Sequence, residues 1–277
     1  MFTLLKVLLL GVIEGVTEWL PISSTGHLLL VDEFIRLDVS PEFKELFMIV
    51  IQLGAILAVV VLFWNRLWPF RRPKPGASAA SSLKPNVMTM WGKVVLASIP
   101  GGIAVLAFDD YIEAHLHTPV VIAAALIVYG LAFLFIETWN RTRRPKYRSV
   151  AEIPWSVAFG IGMFQVLSLI PGTSRSGSTI LGGLVLGVSR VASAEFTFFM
   201  AVPAMFGYSL VKLLKFGLHF TAGEFGLLLF AMAVAFTVSL LAIRFLMHYV
   251  KTHDFKLFGW YRIALGALVL LYFLVIK

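Results

Sequence analysis

The residues able to do chemistry in this chain are few, and they sit inside apolar sequence. Glu14 and Glu18 are embedded in LLLGVIEGVTEWLPISSTGHLLLV, where polar residues occur only around the middle. An ionisable group at membrane depth costs about 2.5–3.5 kcal/mol on insertion scales, so its default reading is functional. Four residues apart on a helix, the two carboxylates share one face. Like charges in a low-dielectric site raise each other's proton affinity unless a cation lies between them. A hard divalent metal, Mg²⁺ or Ca²⁺, or the guanidinium of Arg175 would supply that cation. The structural alternative, a pair facing water at a helix end, is opposed by the apolar flanks on both sides.

Ser23, Ser24, Thr25 and His27 follow directly after Pro21. Capping of the next helix would explain one of the hydroxyls. It does not explain a histidine one turn into an apolar helix, although a lone histidine there is more often core than ligand. Ser24 and His27, at i and i+3, are spaced so that the imidazole can approach the hydroxyl or a bound phosphate. A helix beginning near Ser23 also offers free N–H groups to an anion. The second polar stretch, Pro171 to Thr179, has the composition of a phosphate cradle. Gly172 lets the backbone approach closely, Ser174, Ser176 and Thr179 supply hydroxyls, and Arg175 can grip two phosphate oxygens at once. Setting Pro21 against Pro171 puts Ser24 opposite Ser174 and Thr25 opposite Arg175, which adds Thr25 to the candidate contacts. Gln165 is another; an interhelical hydrogen bond accounts for it equally well.

These residues require a membrane scaffold. Of 277 residues, 59% are hydrophobic and 14% charged, and the mean hydropathy is +0.90; a soluble domain keeps about a quarter of its residues charged. With no cysteine, disulfides, a thiolate nucleophile and cysteine metal sites are excluded. A net charge of +8 would suggest nucleic acid on a soluble protein, but here it reflects basic cytoplasmic loops. Glu14 and Glu18 interrupt the first apolar run and no small-residue cleavage site follows it, so a signal peptide is not expected. Runs close to the ~20 residues that a bilayer needs lie at 46–64, 93–108 (short), 119–137, 196–214, 226–246 and 258–276. Two more, 2–36 and 154–190, are broken at Pro21–Gly26 and Pro171–Gly177. Both breaks carry helix-stop and helix-start residues and predict re-entrant helix–loop–helix hairpins, tolerated where the backbone is buried in protein or lines a wet cavity.

The expected fold is therefore an all-α polytopic membrane protein built as an inverted-topology repeat, each half a re-entrant hairpin plus three transmembrane helices. One membrane domain spans 1–277, with repeat 1 at 1–137, a cytoplasmic linker at 138–152 and repeat 2 at 153–277. Three spans is an odd number, so the second copy is inverted and the site is expected near the midplane where the two broken segments meet. Loop charge sets the orientation. Arg66, Arg71, Arg72, Lys74 and Lys84 in 65–92, and Arg141, Arg143, Arg144, Lys146 and Arg148 in 138–152, make both segments cytoplasmic. Acids then mark the outside, at Asp32, Glu33, Asp38, Glu42 and Glu45 and at Asp109, Asp110 and Glu113. Both termini become external and the loop with Lys251 and Lys256 cytoplasmic, while Lys212 and Lys215 are a mild exception. The stretch 73–86 reads as a flexible loop. Glu137, Glu152, Glu195, Glu224 and Asp254 fall at or near the ends of apolar runs, within reach of water or headgroups. Among the cations, Arg175 is the one isolated in apolar sequence.

GVIEGVTEWLPISSTGHLLL and PGTSRSGSTILGG resemble the two signature segments of the bacterial undecaprenyl-pyrophosphate phosphatase family, also called the bacitracin-resistance protein family. The likeness extends over the whole chain, including VIQLGAILAVVVLFW and GVSRVASAEFTFFMAVPAM, with no departure at the polar positions. The resemblance implies hydrolysis of the C55 polyprenyl diphosphate carrier to its monophosphate, for reuse in peptidoglycan synthesis, with bacitracin resistance as a consequence. It also implies metal dependence, a bacterial inner-membrane location, a site open to the periplasmic side, and roles for Glu14, Glu18, Ser24, His27 and Arg175.

The residues agree with that chemistry, since phosphoryl transfer needs positioning and charge neutralisation above all. Arg175, the second-loop N–H groups and a metal held by Glu14 and Glu18 would bind the phosphates. Ser24 is the first choice of nucleophile, with His27 as its base or as acid to the leaving group; a water activated by Glu18 or His27 is the alternative. Two rival functions remain. An inverted repeat with a midplane anion site also describes a secondary transporter or a polyprenyl-phosphate flippase. A histidine-nucleophile membrane phosphatase would need a second catalytic histidine near a downstream aspartate, but His219, His248 and His253 lie in or near loops and only Asp254 neighbours them. The expected partners are the lipid diphosphate, membrane lipids and, as an option, a second copy of the chain; nucleic acid is not expected.

Overall fold

The computed structural model describes residues 2–35, 37, 39–71, 83–216 and 221–276. Asp38, Arg72, Lys74, His219 and most of the 73–86 stretch lie outside the described residues, as do the side chains of Glu45, Asp109, Glu113, Lys212 and Lys215. Among the described residues the chain is helical, without a β-strand. The order is α1 (Phe2–Thr17), α2 (Ser24–Phe34), α3 (Pro41–Leu62), α4 (Trp64–Leu67), α5 (Pro85–Leu116), α6 (Pro119–Asn140), α7 (Trp155–Leu167), α8 (Arg175–Val185), α9 (Arg190–Phe216), α10 (Ala222–Tyr249) and α11 (Lys256–Leu271). Among the described residues, six helical stretches are long and apolar enough to cross a bilayer: Glu42–Leu62, Pro85–Phe108, Pro119–Asn140, Arg190–Val211, Ala222–Tyr249 and Lys256–Leu274. The protein is an all-α polytopic membrane protein.

Both broken runs form a helix, a turn and an 11-residue helix. α1 has 16 residues and α7 has 13; at 1.5 Å per residue neither crosses a membrane alone. The apolar run expected at 93–108 belongs to a longer element, the 32-residue α5. Pro85 starts it at a position where a missing N–H costs nothing, and the helix runs past the apolar stretch because helical hydrogen bonding does not stop at the membrane boundary.

Helices approach closely where glycine removes the side chain, as expected when packing rather than hydrophobicity drives association in lipid. Gly11 and Gly15 lie on the α1 face that meets α10; a Cβ on Gly15 would stand 2.9 Å from the Ala235 carbonyl oxygen. Ser239 donates to the Gly15 carbonyl across the same contact. This docking fixes the rotation of α1 and with it the direction of Glu14. Gly130 of α6 and Gly259 of α11 face each other's carbonyl groups in the same manner. At Gly54, a Cβ would overlap the Met232 backbone of α10. Gly54→Ala is therefore expected to separate α3 from α10, destabilising the protein by about 1–3 kcal/mol, the usual range for overpacking. Thermal unfolding in detergent measures this, and an unchanged midpoint would contradict the contact.

Two ion pairs correct the expectation that acids near span ends are hydrated. Glu137 is 1% exposed; Arg190 grips it through Nε and Nη2, and the Phe255 amide donates to it as well. One carboxylate thus ties α6, α9 and the start of α11. Glu195 is also buried and pairs with Arg66. Neither carboxylate could be buried without its arginine, because an unpaired buried charge is prohibitively costly.

Candidate active site

The two interrupted hairpins meet at their turns. α1 continues one bond past its end, with the Glu18 amide donating to the Glu14 carbonyl, so Glu14 and Glu18 lie one helical turn apart. Ser23 then caps α2 by accepting from the Gly26 amide, and Ser174 caps α8 by accepting from the Gly177 amide. The two caps share an unusual backbone, with φ of 74° at Ser23 and 70° at Ser174, and among the described residues they are the two non-glycine positions with positive φ. Each such conformation costs about 1–3 kcal/mol and persists where surrounding structure enforces it, commonly at functional sites.

The matching caps correct the register between the two segments. Ser23, rather than Ser24, corresponds to Ser174, because the second turn contains one more residue. Gly172 has φ of 96°, and a Cβ there would stand 2.5 Å from the Ile122 carbonyl oxygen, so glycine is required by conformation and by space. Ser24 accordingly opens α2 where Arg175 opens α8.

Arg175 reaches across from the second segment to the first. Its Nη2 donates to Glu18 Oε1 at 2.9 Å, and Nη1 donates to the Thr197 carbonyl at 3.2 Å. Ser176 is buried and donates to the Glu18 carbonyl at 3.0 Å. Thr179, also buried, donates to the Arg175 carbonyl and accepts from Thr197. The hydroxyls of Ser176 and Thr179 are thus committed to the chain: they brace the turn that presents Arg175. Ser174 is half-buried and shares a hydrogen bond with Ser176. Gln165 is buried, and its Oε1 has no partner among the described residues. Ser24 and Thr25 are half-buried at the first turn of α2.

His27 does not contact Ser24 as their spacing suggested. Its Nδ1 lies 2.7 Å from the Ser23 carbonyl and its Nε2 lies 2.6 Å from the Tyr261 hydroxyl. The imidazole is taken up by the i−4 carbonyl of the positive-φ cap instead of by the hydroxyl at i−3.

Two further residues reach these turns from outside the polar segments. Arg262 in α11 is completely buried and donates to three backbone carbonyls: Pro21 at 3.2 Å, Gly172 at 2.8 Å and Thr173 at 2.9 Å. It fastens one turn to the other. Arg175 is therefore not the sole cation isolated in apolar sequence; Arg262 sits in GWYRIALGALVLL and carries the same intramembrane-charge signal. Tyr261 beside it stacks on His27, with ring centroids 5.5 Å apart and planes 9° from parallel.

Unmatched polar atoms gather here. Both Glu14 carboxylate oxygens are fully buried without a hydrogen-bond partner among the described residues, and so is Nε of Arg175. Glu14 lies within electrostatic reach of Glu18 and Arg175. A buried acceptor pair lacking a donor and a buried donor lacking an acceptor, within electrostatic reach of each other, fit a ligand that brings both a cation and an anion. Among the described residues no group of three or more acidic, histidine or cysteine side chains could hold a metal. A cation bound by Glu14 and Glu18 would complete its shell with substrate oxygens, the usual habit of Mg²⁺ at phosphate sites.

Fold and site together define a polytopic α-helical membrane protein whose two broken hairpins bring an acid–arginine pair together inside the bundle. The chain belongs to the family described as Bacitracin resistance protein BacA, which it matches over residues 7–268. It is 59% identical to the undecaprenyl-diphosphatase of Enterococcus faecalis, over 97% of this chain and 96% of that one. It is 53% identical to the undecaprenyl-diphosphatase of Lachnoclostridium phytofermentans, over 99% and 98%. With the undecaprenyl-diphosphatase of Acetivibrio thermocellus it shares 49% identity over the full length of both.

Proposed function

We propose that this protein hydrolyses undecaprenyl diphosphate to undecaprenyl phosphate and inorganic phosphate. The observation that carries the reading is the set of unmatched buried groups at Glu14 and Arg175 where the two turns meet. Full-length relatives bearing the undecaprenyl-diphosphatase name support it. In this reading Arg175 and the N–H groups at the start of α8 hold the diphosphate. Glu14 and Glu18 would hold a divalent cation, Mg²⁺ or Ca²⁺, which neutralises phosphate charge when bound. Ser24 attacks the terminal phosphorus while His27 takes its proton, the bond to the bridging oxygen breaks and the polyprenyl monophosphate leaves; water then hydrolyses the phosphoserine, releasing phosphate and restoring the serine hydroxyl. Trapping a phosphoserine at position 24 separates this route from direct attack by water.

The polyprenyl tail also has a place. A largely apolar groove of about 440 Å³ between α1 and the end of α2 is lined by Leu5, Leu8, Leu9, Val12, Phe34 and Ile35, with Lys6 as its one charged residue. It ends two residues before Glu14 and suits an isoprenoid chain lying in the membrane. The repeated order of elements, read with the basic segments at 65–92 and 138–152, supports the inverted repeat, an inner-membrane setting and a site open to the periplasmic side. A flippase or transporter reading predicts lipid translocation that survives loss of His27, whereas hydrolysis does not.

Purified protein in detergent, without any gradient, is expected to release phosphate from the C55 diphosphate, to stop on addition of chelator and to resume with Mg²⁺ or Ca²⁺. Lipid translocation without phosphate release would overturn the hydrolase reading. Release unaffected by chelator would remove the cation from it.

A further inference from the structure

The arrangement around His27 assigns a task to Tyr261, 234 residues away in sequence. We propose that Tyr261 is the positioning residue of His27: the Ser23 carbonyl leaves Nε2 as the working nitrogen, and the Tyr261 hydroxyl fixes where that nitrogen points. The proposal rests on the phosphatase reading above.

A backbone carbonyl can only accept a hydrogen bond, so the 2.7 Å contact between Nδ1 and the Ser23 carbonyl places a proton on Nδ1. Neutral His27 is therefore the Nδ1–H form, and any proton it gains or gives passes at Nε2. That nitrogen faces the Tyr261 hydroxyl at 2.6 Å. A phenol suits both states of the ring: its O–H donates to a bare Nε2, and its oxygen accepts from a protonated one. The stack at 9° holds the ring plane while this exchange occurs, so the imidazole changes protonation without changing orientation. The arrangement parallels the general rule that a catalytic base is oriented by a third group.

Its placement gives the hydroxyl a further use. Tyr261 is adjacent to Arg262, whose guanidinium fastens the two turns. One helix, α11, thus sets the backbone of the site through Arg262 and the direction of its histidine through Tyr261. Tyr261 is exposed, at 45%, so its hydroxyl is held by His27 rather than by burial. An aromatic residue kept solely for packing would need no oxygen at this point.

The test is Tyr261→Phe, which keeps the ring and the stack and removes only the hydroxyl, assayed with the C55 diphosphate in detergent. Positioned acid–base groups contribute about 10²–10⁴-fold. The expected result is a kcat at least about tenfold lower, with KM for the lipid within about twofold and an unchanged unfolding temperature. In a His27→Ala background the same substitution should cause no further loss. A wild-type kcat in Tyr261→Phe overturns the proposal, as does an equal fold-loss in both backgrounds. A raised KM at full kcat also overturns it, because it would assign the hydroxyl to substrate binding. If the wild-type protein releases no phosphate, the phosphatase reading fails separately. ¹⁵N NMR of labelled histidine then decides the positioning role: the signal absent in His27→Ala should show a protonated Nδ1 in wild type and move in Tyr261→Phe. A signal that does not move overturns it.

Discussion

Replacing Arg175 with alanine is expected to abolish phosphate release, lowering kcat by about 10³–10⁵-fold, the range for a guanidinium that stabilises transferring phosphoryl charge. The geometry gives the reason. Arg175 already uses Nη1 on the Thr197 carbonyl and Nη2 on Glu18, and its buried Nε is left unmatched. The guanidinium is therefore held from one side and presented from the other, so little reorganisation is needed when phosphate charge develops. Arg175→Lys should rescue little, because an ammonium cannot span carbonyl, carboxylate and phosphate from one planar group. The same substitution carries a structural cost. The Glu18 and Arg175 side chains are 10% and 15% exposed, and removing one partner of a buried pair costs about 3–5 kcal/mol. Arg175→Ala paired with Glu18→Gln separates the two effects. The double variant should regain most of the lost thermal stability and none of the activity. Phosphate release and unfolding temperature measured on the same preparations decide it, and activity within tenfold of wild type in Arg175→Ala would remove the arginine from the reaction.

How far the sequence reaches into this site follows from which signals are local. An acid or an arginine inside apolar sequence is legible wherever it occurs, and Glu14, Glu18 and Arg175 were readable for that reason. The turns were legible because proline, glycine and capping hydroxyls cluster at Pro21–Gly26 and Pro171–Gly177. Their register was not: aligning the prolines misplaces the caps by one residue, since the extra Gly172 is absorbed at positive φ. The His27 partner is not legible because a spacing of three residues describes which atoms can meet, whereas the Ser23 carbonyl, one residue earlier, holds the imidazole in the fold. Arg262 was available to the same rule that found Arg175, but a single charge inside a run otherwise suited to crossing the membrane is easily read past. Tyr261 gives no such signal, because an aromatic residue in a membrane helix ordinarily faces lipid, and its hydroxyl finds a partner only through tertiary contact. Glu137 and Glu195 show the same limit from the other side. Their places near span ends suggested hydration, and only packing shows the arginines that accompany them into the interior.

Arg262→Met is expected to be the most damaging change outside the polar segments, reducing phosphate release by about 10²-fold or more while leaving the helices inserted. Methionine fills much of the same volume, so the loss isolates the guanidinium. That group supplies the direct bonds from α11 to the Pro21 carbonyl on one turn and the Gly172 and Thr173 carbonyls on the other. Hydrogen bonds from a charged donor contribute about 1.5–3 kcal/mol each, and every buried carbonyl left without a donor costs about 1–3 kcal/mol. Part of that loss is offset because a fully buried cation no longer has to be desolvated. Stability should consequently fall less than activity. Activity is more sensitive because a displacement of about 1 Å between the turns costs roughly 10²-fold in a positioned reaction, and Glu18 and Arg175 sit on opposite turns. Ser176, which joins the second turn to the Glu18 carbonyl, keeps the segments in contact but cannot set their spacing at Pro21 and Gly172. Arg262→Lys retains the charge and reaches one or two of the three carbonyls, so it should fall between methionine and wild type in kcat. If Arg262→Met kept activity within twofold at an equal or higher unfolding temperature, the spacing of the turns would be set by α1 and α7 docking on their neighbours, and the guanidinium would be a structural passenger.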